Sequence, residues 1–315
     1  MKQSALIVTP PPHLKLERTV GGAMRDVMLA LLPISAVSVY FYHAFALKLI
    51  SLCVVTALAT EYVFRRARGQ RVTLSDGSAA LTGLFVALLF SPTTPVLTAM
   101  LATFLAVGVA KELMGGLGRN RLNPALFGRV AIIFLAPLLP FLNQIPLYWS
   151  VDTVTRATPL AKLAQGWDMP STWELFVAFP GGALSETSPL ALLVGAAFLL
   201  YRGHIRWHIP VSMLASIFVL TFILGQNPVQ HLVTGGIMLG AFFMATDWVT
   251  SPITKQGKLI FGFAIGVLVV IFRLFLPPPE GVAFSILIMN AFVPLLERVT
   301  RRASFSEPVS APTTG

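Results

Sequence analysis

Ten apolar runs, at approximately 24–42, 44–63, 77–90, 96–113, 122–140, 187–201, 208–225, 229–246, 258–276 and 281–297, limit what this chain can fold into. An α-helix needs about 20 apolar residues to cross a bilayer. In lipid every backbone N–H and C=O must be satisfied internally, which leaves only helices and closed barrels. A barrel would show short alternating segments; these runs are continuous. Only 11% of the 315 residues are charged, against roughly 25% in soluble domains. The expected class is an all-α polytopic membrane protein with about ten transmembrane helices.

Basic residues give the sidedness. With the N-terminus inside, 18 of the 23 Lys and Arg fall in cytoplasmic segments: Lys2, Lys15, Arg18, Arg25, Arg65, Arg66, Arg68, Arg71, Lys111, Arg119, Arg121, Arg202, Arg206, Lys255, Lys258, Arg298, Arg301 and Arg302. Only Arg156 and Lys162 are placed outside, while Lys48, Arg129 and Arg273 fall within or near spans. Such asymmetry predicts cytoplasmic N- and C-termini. The net charge of +10 is then a membrane signature, and nucleic-acid binding is excluded for want of a soluble domain. The expected divisions are an N-terminal arm (1–23), five spans (24–140), an extracytoplasmic loop (141–186), five more spans (187–298) and a cytoplasmic tail (299–315). The arm lacks a cleavable signal pattern, so the first span is expected to direct insertion.

The two halves repeat. "LTGLFVALLFSPTTP" (81–95) resembles "VTGGIMLGAFFMATDWVTSP" (233–252), and "RLNPALFGR" (121–129) resembles "IMNAFVPLLER" (288–298). Five is odd, so the halves must be inverted, as in many transporters. In such folds, short or Gly-broken segments at matching positions point to a central site. The segments here are 75–91 and 229–247, and the residues are Asp76, Gly77, Thr82, Gly83, Asn123, Thr234, Gly235, Asp247 and Asn290. The alternative for Thr82-Gly83 and Thr234-Gly235 is close helix contact.

Acidic residues at span ends are either functional or solvated caps. Asp76 and Asp247 flank the repeated motif and favour a role in ion or cofactor binding. Asp26 beside Arg25 and Glu297 beside Arg298 read as paired caps. His204 and His208 read as an interface anchor, since two histidines alone do not make a metal site. "GGLGRN" (115–120) reads as a turn. The single cysteine, Cys53, can form no internal disulfide or cluster alone.

"LSDGSAALTGLFVALLFSPTTP", "GGLGRNRLNPALFGR", "FFMATDWVTSPITKQGK" and "ILIMNAFVPLLER", with "PPPH" and "MRDVMLALLP" near the start, resemble the D subunit of the Rnf-type electron-transport complex. They also resemble the B subunit of the Na+-translocating NADH:quinone oxidoreductase. The resemblance covers about residues 6–300, and the short N-terminal arm favours the former.

The resemblance implies FMN joined through its phosphate to Thr158, within Asp152-Thr153-Val154-Thr155-Arg156-Ala157-Thr158, a D-x-x-[S/T]-x-A-T segment in which Asp152, Thr155 and Ala157 are the other motif residues. Arg156 stands where the family usually has Gly or Ser. Pro159 biases Thr158 toward an extended backbone, which would present its hydroxyl. The resemblance further implies a urea- and ammonium-transporter-like fold, a second non-covalent flavin such as riboflavin, and a flavin transferase for maturation. Partner subunits would carry another FMN and iron–sulfur centres. The function so implied is electron transfer in a bacterial inner-membrane translocase coupling ferredoxin and NAD redox chemistry to Na+ or H+ movement. The rival from another class is a flavin-free solute transporter or channel with the same inverted repeat.

Overall fold

The computed structural model describes residues 19–135, 138–139, 159–165, 168–275 and 281–300. Helix α1 (Val20–Tyr42) is capped by the Thr19 hydroxyl, which accepts from Gly22 N–H at 3.1 Å. It joins α2 (Ala44–Ala67) through one residue, His43, at φ 49°. A 3-10 turn (Leu74–Asp76) leads into α3 (Ser78–Leu89). Helix α4 (Val96–Phe104) runs without a gap into a π-helical stretch, Leu105–Leu113. Then come α5 (Pro124–Leu135), α6 (Pro159–Gln165) and α7 (Thr172–Val177), the last opened by a Ser171/Glu174 capping box. After a 3-10 turn at Leu184–Glu186 follow α8 (Pro189–Tyr201) and α9 (His208–Ile223). Two short pieces, α10 (Pro228–Val233) and α11 (Ile237–Leu239), precede a π-turn at Gly240–Met244. The long helices α12 (Lys255–Phe275) and α13 (Gly281–Thr300) complete the fold.

Among the described residues there is no strand. Among those residues five helices are long and apolar enough to cross a membrane: α1, α2, α4 with its π stretch, α12 and α13. Helices α3, α5, α8 and α9 are apolar but shorter. The run at 229–246 is divided between α10, α11 and the π-turn.

Lipid tails are as apolar as leucine, so helices in a bilayer associate by close packing of small residues. That rule accounts for the tightest contacts here. Gly262 and Gly266 of α12 face Ser212 and Ser216 of α9. A Cβ on Gly262 would lie 2.1 Å from Ser212 Oγ, and one on Gly266 1.8 Å from Ser216 Oγ. Gly195 of α8 meets α1, its added Cβ only 1.9 Å from the Ala30 carbonyl oxygen. Between these seams lies a core including Leu31, Ile34, Leu88, Phe90, Leu126, Leu192, Phe261 and Ile265. Large apolar side chains such as Phe45, Phe222, Ile223 and Phe263 stay exposed on the outside, as lipid-facing positions would.

The start of α1, the ends of α2, α8 and α13, and the starts of α9 and α12 gather at one end, here called the basic end. Arg68 Nη1 donates to the Glu112 carbonyl there, Trp248 Nε1 to the His204 carbonyl at 2.7 Å, and the Thr254 and Thr300 hydroxyls are 2.6 Å apart. At the opposite end the Ser38 hydroxyl donates to the Leu184 carbonyl at 2.9 Å, and Leu184 N–H to the Phe90 carbonyl at 3.0 Å.

Candidate functional site

A cavity of about 120 Å³ opens toward the basic end between α1, α3, the start of α5 and the π-turn. Val27, Leu81, Phe85, Phe242 and Phe243 form apolar walls, and Ser78, Thr82, Lys111, Asn123 and Asp247 supply the polar groups. Both interrupted segments border it, each for a local reason.

In the first half the interruption falls at Gly77, whose φ of 76° is left-handed and suits glycine. The Asp76 carboxylate then caps α3, accepting from the Ser78 N–H at 2.8 Å and the Ser78 hydroxyl at 2.6 Å. In the second half it falls at Gly235 and Gly236, with φ of 64° and 69°. Asp247 follows the π-turn. Its carboxylate accepts from the Thr250 hydroxyl at 3.1 Å and the Val249 N–H at 3.4 Å.

Asn123 and Asn290 are brought together. Asn123 Oδ1 caps α5 through the N–H groups of Ala125 and Leu126, at 3.1 and 3.3 Å. Thr82 lines the cavity, its hydroxyl donating to the Ser78 carbonyl at 2.9 Å. Gly83 lies in mid-helix against α2, where a Cβ would sit 2.7 Å from the Cys53 carbonyl oxygen. Thr234 donates its hydroxyl to the Gln230 carbonyl at 2.7 Å, at the end of α10. Asp152, Thr155, Ala157 and Thr158 lie outside the described residues. The two residues that follow Thr158 are anchored. Pro159 Cδ lies 3.0 Å from where a Gly181 Cβ would be, and Leu160 Cδ2 2.7 Å from where a Gly235 Cβ would be. That places the start of α6 beside the second interruption, away from the basic end. A smaller cavity of about 60 Å³ adjoins it, lined by Leu89, Arg129, Leu160, Glu186, Gly235 and Gly236 among others. The Arg129 guanidinium lies 4.5 Å from the centre of the Phe90 ring.

Three charged arrangements escaped the sequence reading. Beside the central cavity, Lys111 Nζ reaches Glu61 Oε2 at 2.6 Å and the Ser78 hydroxyl at 2.7 Å. Arg65 Nε is 3.2 Å from Glu61 and 3.4 Å from Glu112. Glu61, Lys111 and Glu112 are almost wholly buried, so each charge depends on the others. Second, Asp26 is paired not with Arg25 but with Arg202, at 2.9 and 3.0 Å, and with His204 Nε2 at 2.6 Å. Arg25 Nε instead donates to the Gly21 carbonyl. Glu297 accepts from the Ile253 N–H at 3.3 Å. Third, Arg273 is buried against the second interruption. His208 stacks on Trp207 at 4.2 Å between ring centres. Among the described residues no cluster of His, Cys, Asp and Glu is placed to hold a metal.

The model of the NQR2, RnfD, RnfE family matches residues 7–306. The D subunit of a Na+-translocating ferredoxin:NAD+ oxidoreductase complex from Acetobacterium woodii is 40% identical over 306 residues, covering 96% of this chain and 95% of that protein. The D subunit of a proton-translocating ferredoxin:NAD+ oxidoreductase complex from Clostridium ljungdahlii is 36% identical, covering 97% of each. The D subunit of an ion-translocating oxidoreductase complex from Methanosarcina acetivorans is 32% identical, covering 94% of this chain and 96% of that protein. With its family match and relatives running nearly end to end, this chain belongs to the NQR2, RnfD, RnfE family.

Proposed function

We propose that this chain is the D subunit of a ferredoxin:NAD+ oxidoreductase complex in the bacterial inner membrane, coupling electron transfer to movement of Na+ or H+. The observation that carries this reading is the 40% identity, over nearly the whole of both chains, to a D subunit so named. Relatives named for Na+ and for protons are both close, so the ion is left open. Thr158 holds FMN through its phosphate, and a flavin transferase attaches it. A second, non-covalent flavin occupies the central cavity. Other subunits of the complex bring a further FMN and iron–sulfur centres.

The residues present suit such groups. The central cavity sets three phenylalanines, Phe85, Phe242 and Phe243, against the amide of Asn123, the hydroxyl of Ser78 and the carboxylate of Asp247, a pairing of apolar walls and few polar groups typical of cofactor sites. A bound flavin supplies one- and two-electron transfer; the protein supplies position and electrostatics. Packing of Pro159 and Leu160 steadies the chain next to Thr158.

Ten crossings in two inverted halves are part of the same reading. Interrupted segments border one cavity from both halves, and α1 packs on α8, its counterpart. Lys111 and Arg273 both stand two residues before the end of the helical segment that precedes the last span of their half. The basic end is the cytoplasmic one under this reading, with both termini there and the Thr158 loop on the outer side. The ion path runs past the interruptions.

Mass spectrometry of the purified subunit tests the flavin assignment. The expected result is an FMN adduct on the peptide containing Thr158, lost in Thr158→Val while the subunit still inserts. A fluorescent flavin band surviving denaturing electrophoresis of Thr158→Val overturns it, and a wild-type subunit without flavin favours the transporter reading.

A further inference from the structure

Arg273 is 8% exposed, yet it pairs with backbone. Its Nη1 donates to the His231 carbonyl at 2.8 Å, and its Nη2 to the carbonyls of Thr234 and Gly235 at 2.8 and 2.9 Å. These oxygens come from the end of α10 and the turn after it, where helix carbonyls lose their partners. Three convergent backbone carbonyls at an unwound segment are the ligand type that transporters and channels use for monovalent cations. We propose that His231 O, Thr234 O and Gly235 O form a monovalent-cation site, and that the Arg273 guanidinium is its tethered occupant, closing the ion path at the end away from the basic end.

Three observations favour this over a plain helix cap. First, the guanidinium fits only because residue 235 has no side chain: a Cβ there would lie 2.2 Å from Arg273 Nη2. Second, the site adjoins a space: Gly235 lines the 60 Å³ cavity, which extends along the chain to Gly240 and Met244, and the 120 Å³ cavity is bordered by the neighbouring Phe242, Phe243 and Thr246. Third, the opposite half also places a cation against its interruption at the other end, where Lys111 reaches from its helix to the Ser78 hydroxyl and, unlike Arg273, pairs with a carboxylate, that of Glu61. One path would then carry a fixed cation at each mouth. A mobile cation reaching the outer carbonyls must displace Arg273, and when it leaves the guanidinium returns, which blocks passive leak without a moving domain.

The inference rests on the proposed passage of the ion through this subunit. The experiment uses the whole complex in sealed proteoliposomes, with covalent flavin and ferredoxin-to-NAD electron transfer measured on the same samples. Passive entry of radioactive Na+ is followed without reductant in wild type, Arg273→Lys, Arg273→Gln and Gly235→Ala. The last displaces the guanidinium but keeps its charge. The expected result is leak, and loss of the redox-driven gradient, in Arg273→Gln and Gly235→Ala, with electron transfer retained in Arg273→Gln and Arg273→Lys still sealed. Wild-type tightness in both displaced variants overturns the proposal, while flavin and electron transfer still report on the function above. If Arg273→Gln fails to assemble, NaCl or KCl must restore assembly where choline chloride does not, because a small cation can fill the vacated carbonyls. Failure of both salts to do so leaves Arg273 a helix cap and overturns the site.

Discussion

Asn123 and Asn290, 167 positions apart, meet in the core: the Asn123 N–H donates to Asn290 Oδ1 at 3.3 Å. Asn290 Nδ2 in turn donates to the Thr250 carbonyl at 2.8 Å, and Asn123 Nδ2 to the Met244 carbonyl at 3.4 Å. One pair of side chains thus ties α5, α13, the π-turn and the loop after it. Replacing Asn290 by Ala leaves the Asn123 N–H and the Thr250 carbonyl buried without these partners, each lost partner costing about 1–3 kcal/mol. Thermal unfolding in detergent, followed by tryptophan fluorescence, should show a clearly lower midpoint for Asn290→Ala. An unchanged midpoint would mean water replaces the amide.

Lys111→Met should be more damaging. Glu61 and Lys111 are 0% and 2% exposed, and removing one partner of a buried pair costs about 3–5 kcal/mol. Adding Glu61→Leu to Lys111→Met should recover much of that loss, because the stranded carboxylate goes too. A double-mutant cycle on the unfolding midpoint measures the coupling. Additive losses would show that Arg65, which also contacts Glu61, carries the charge balance alone.

Asp76 and Asp247 sit beside the central cavity, and Glu297 does not. Asp76→Asn and Asp247→Asn are expected to lower the ions moved per electron, or slow turnover, while Thr158 keeps its flavin. Glu297→Gln should behave as wild type. The check is ion flux and NAD reduction in the same proteoliposomes. Wild-type rate and ratio in both aspartate variants would reduce these residues to helix and turn caps.

A cysteine introduced at Gln165, at the end of α6, should react with a membrane-impermeant thiol reagent added to intact cells. Labelling only after lysis would reverse the orientation proposed for the two ends.

Some of this was legible in the sequence. Asn123 and Asn290 could be matched because each opens a short apolar stretch closed by Arg, and the chain brings the two together. Gly235 could be read as an interruption because two adjacent glycines follow Thr234. The corresponding glycine in the first half is harder to see. The sequence match put Thr82-Gly83 opposite Thr234-Gly235, but the left-handed residue is Gly77, since a residue's φ is set by the turn it occupies. Long-range charge pairing was not legible at all. Glu61 meets Lys111 across 50 positions, and Asp26 meets Arg202 across 176. Nearest-neighbour reasoning gave Asp26 to Arg25, which on a helix points elsewhere.

The contact of Gly195 with the Ala30 carbonyl, together with the Asp26 pairing to Arg202 and His204, has a mechanical consequence. Helices α1 and α8 touch backbone to backbone at mid-length and are clasped at one end. Tilting or sliding one half on the other would drive a side chain into a place where only a hydrogen atom fits. Rocking of two rigid lobes is therefore the costly motion for this molecule. Its frame is expected to stay fixed through turnover, with movement confined to single side chains and the short turns beside them.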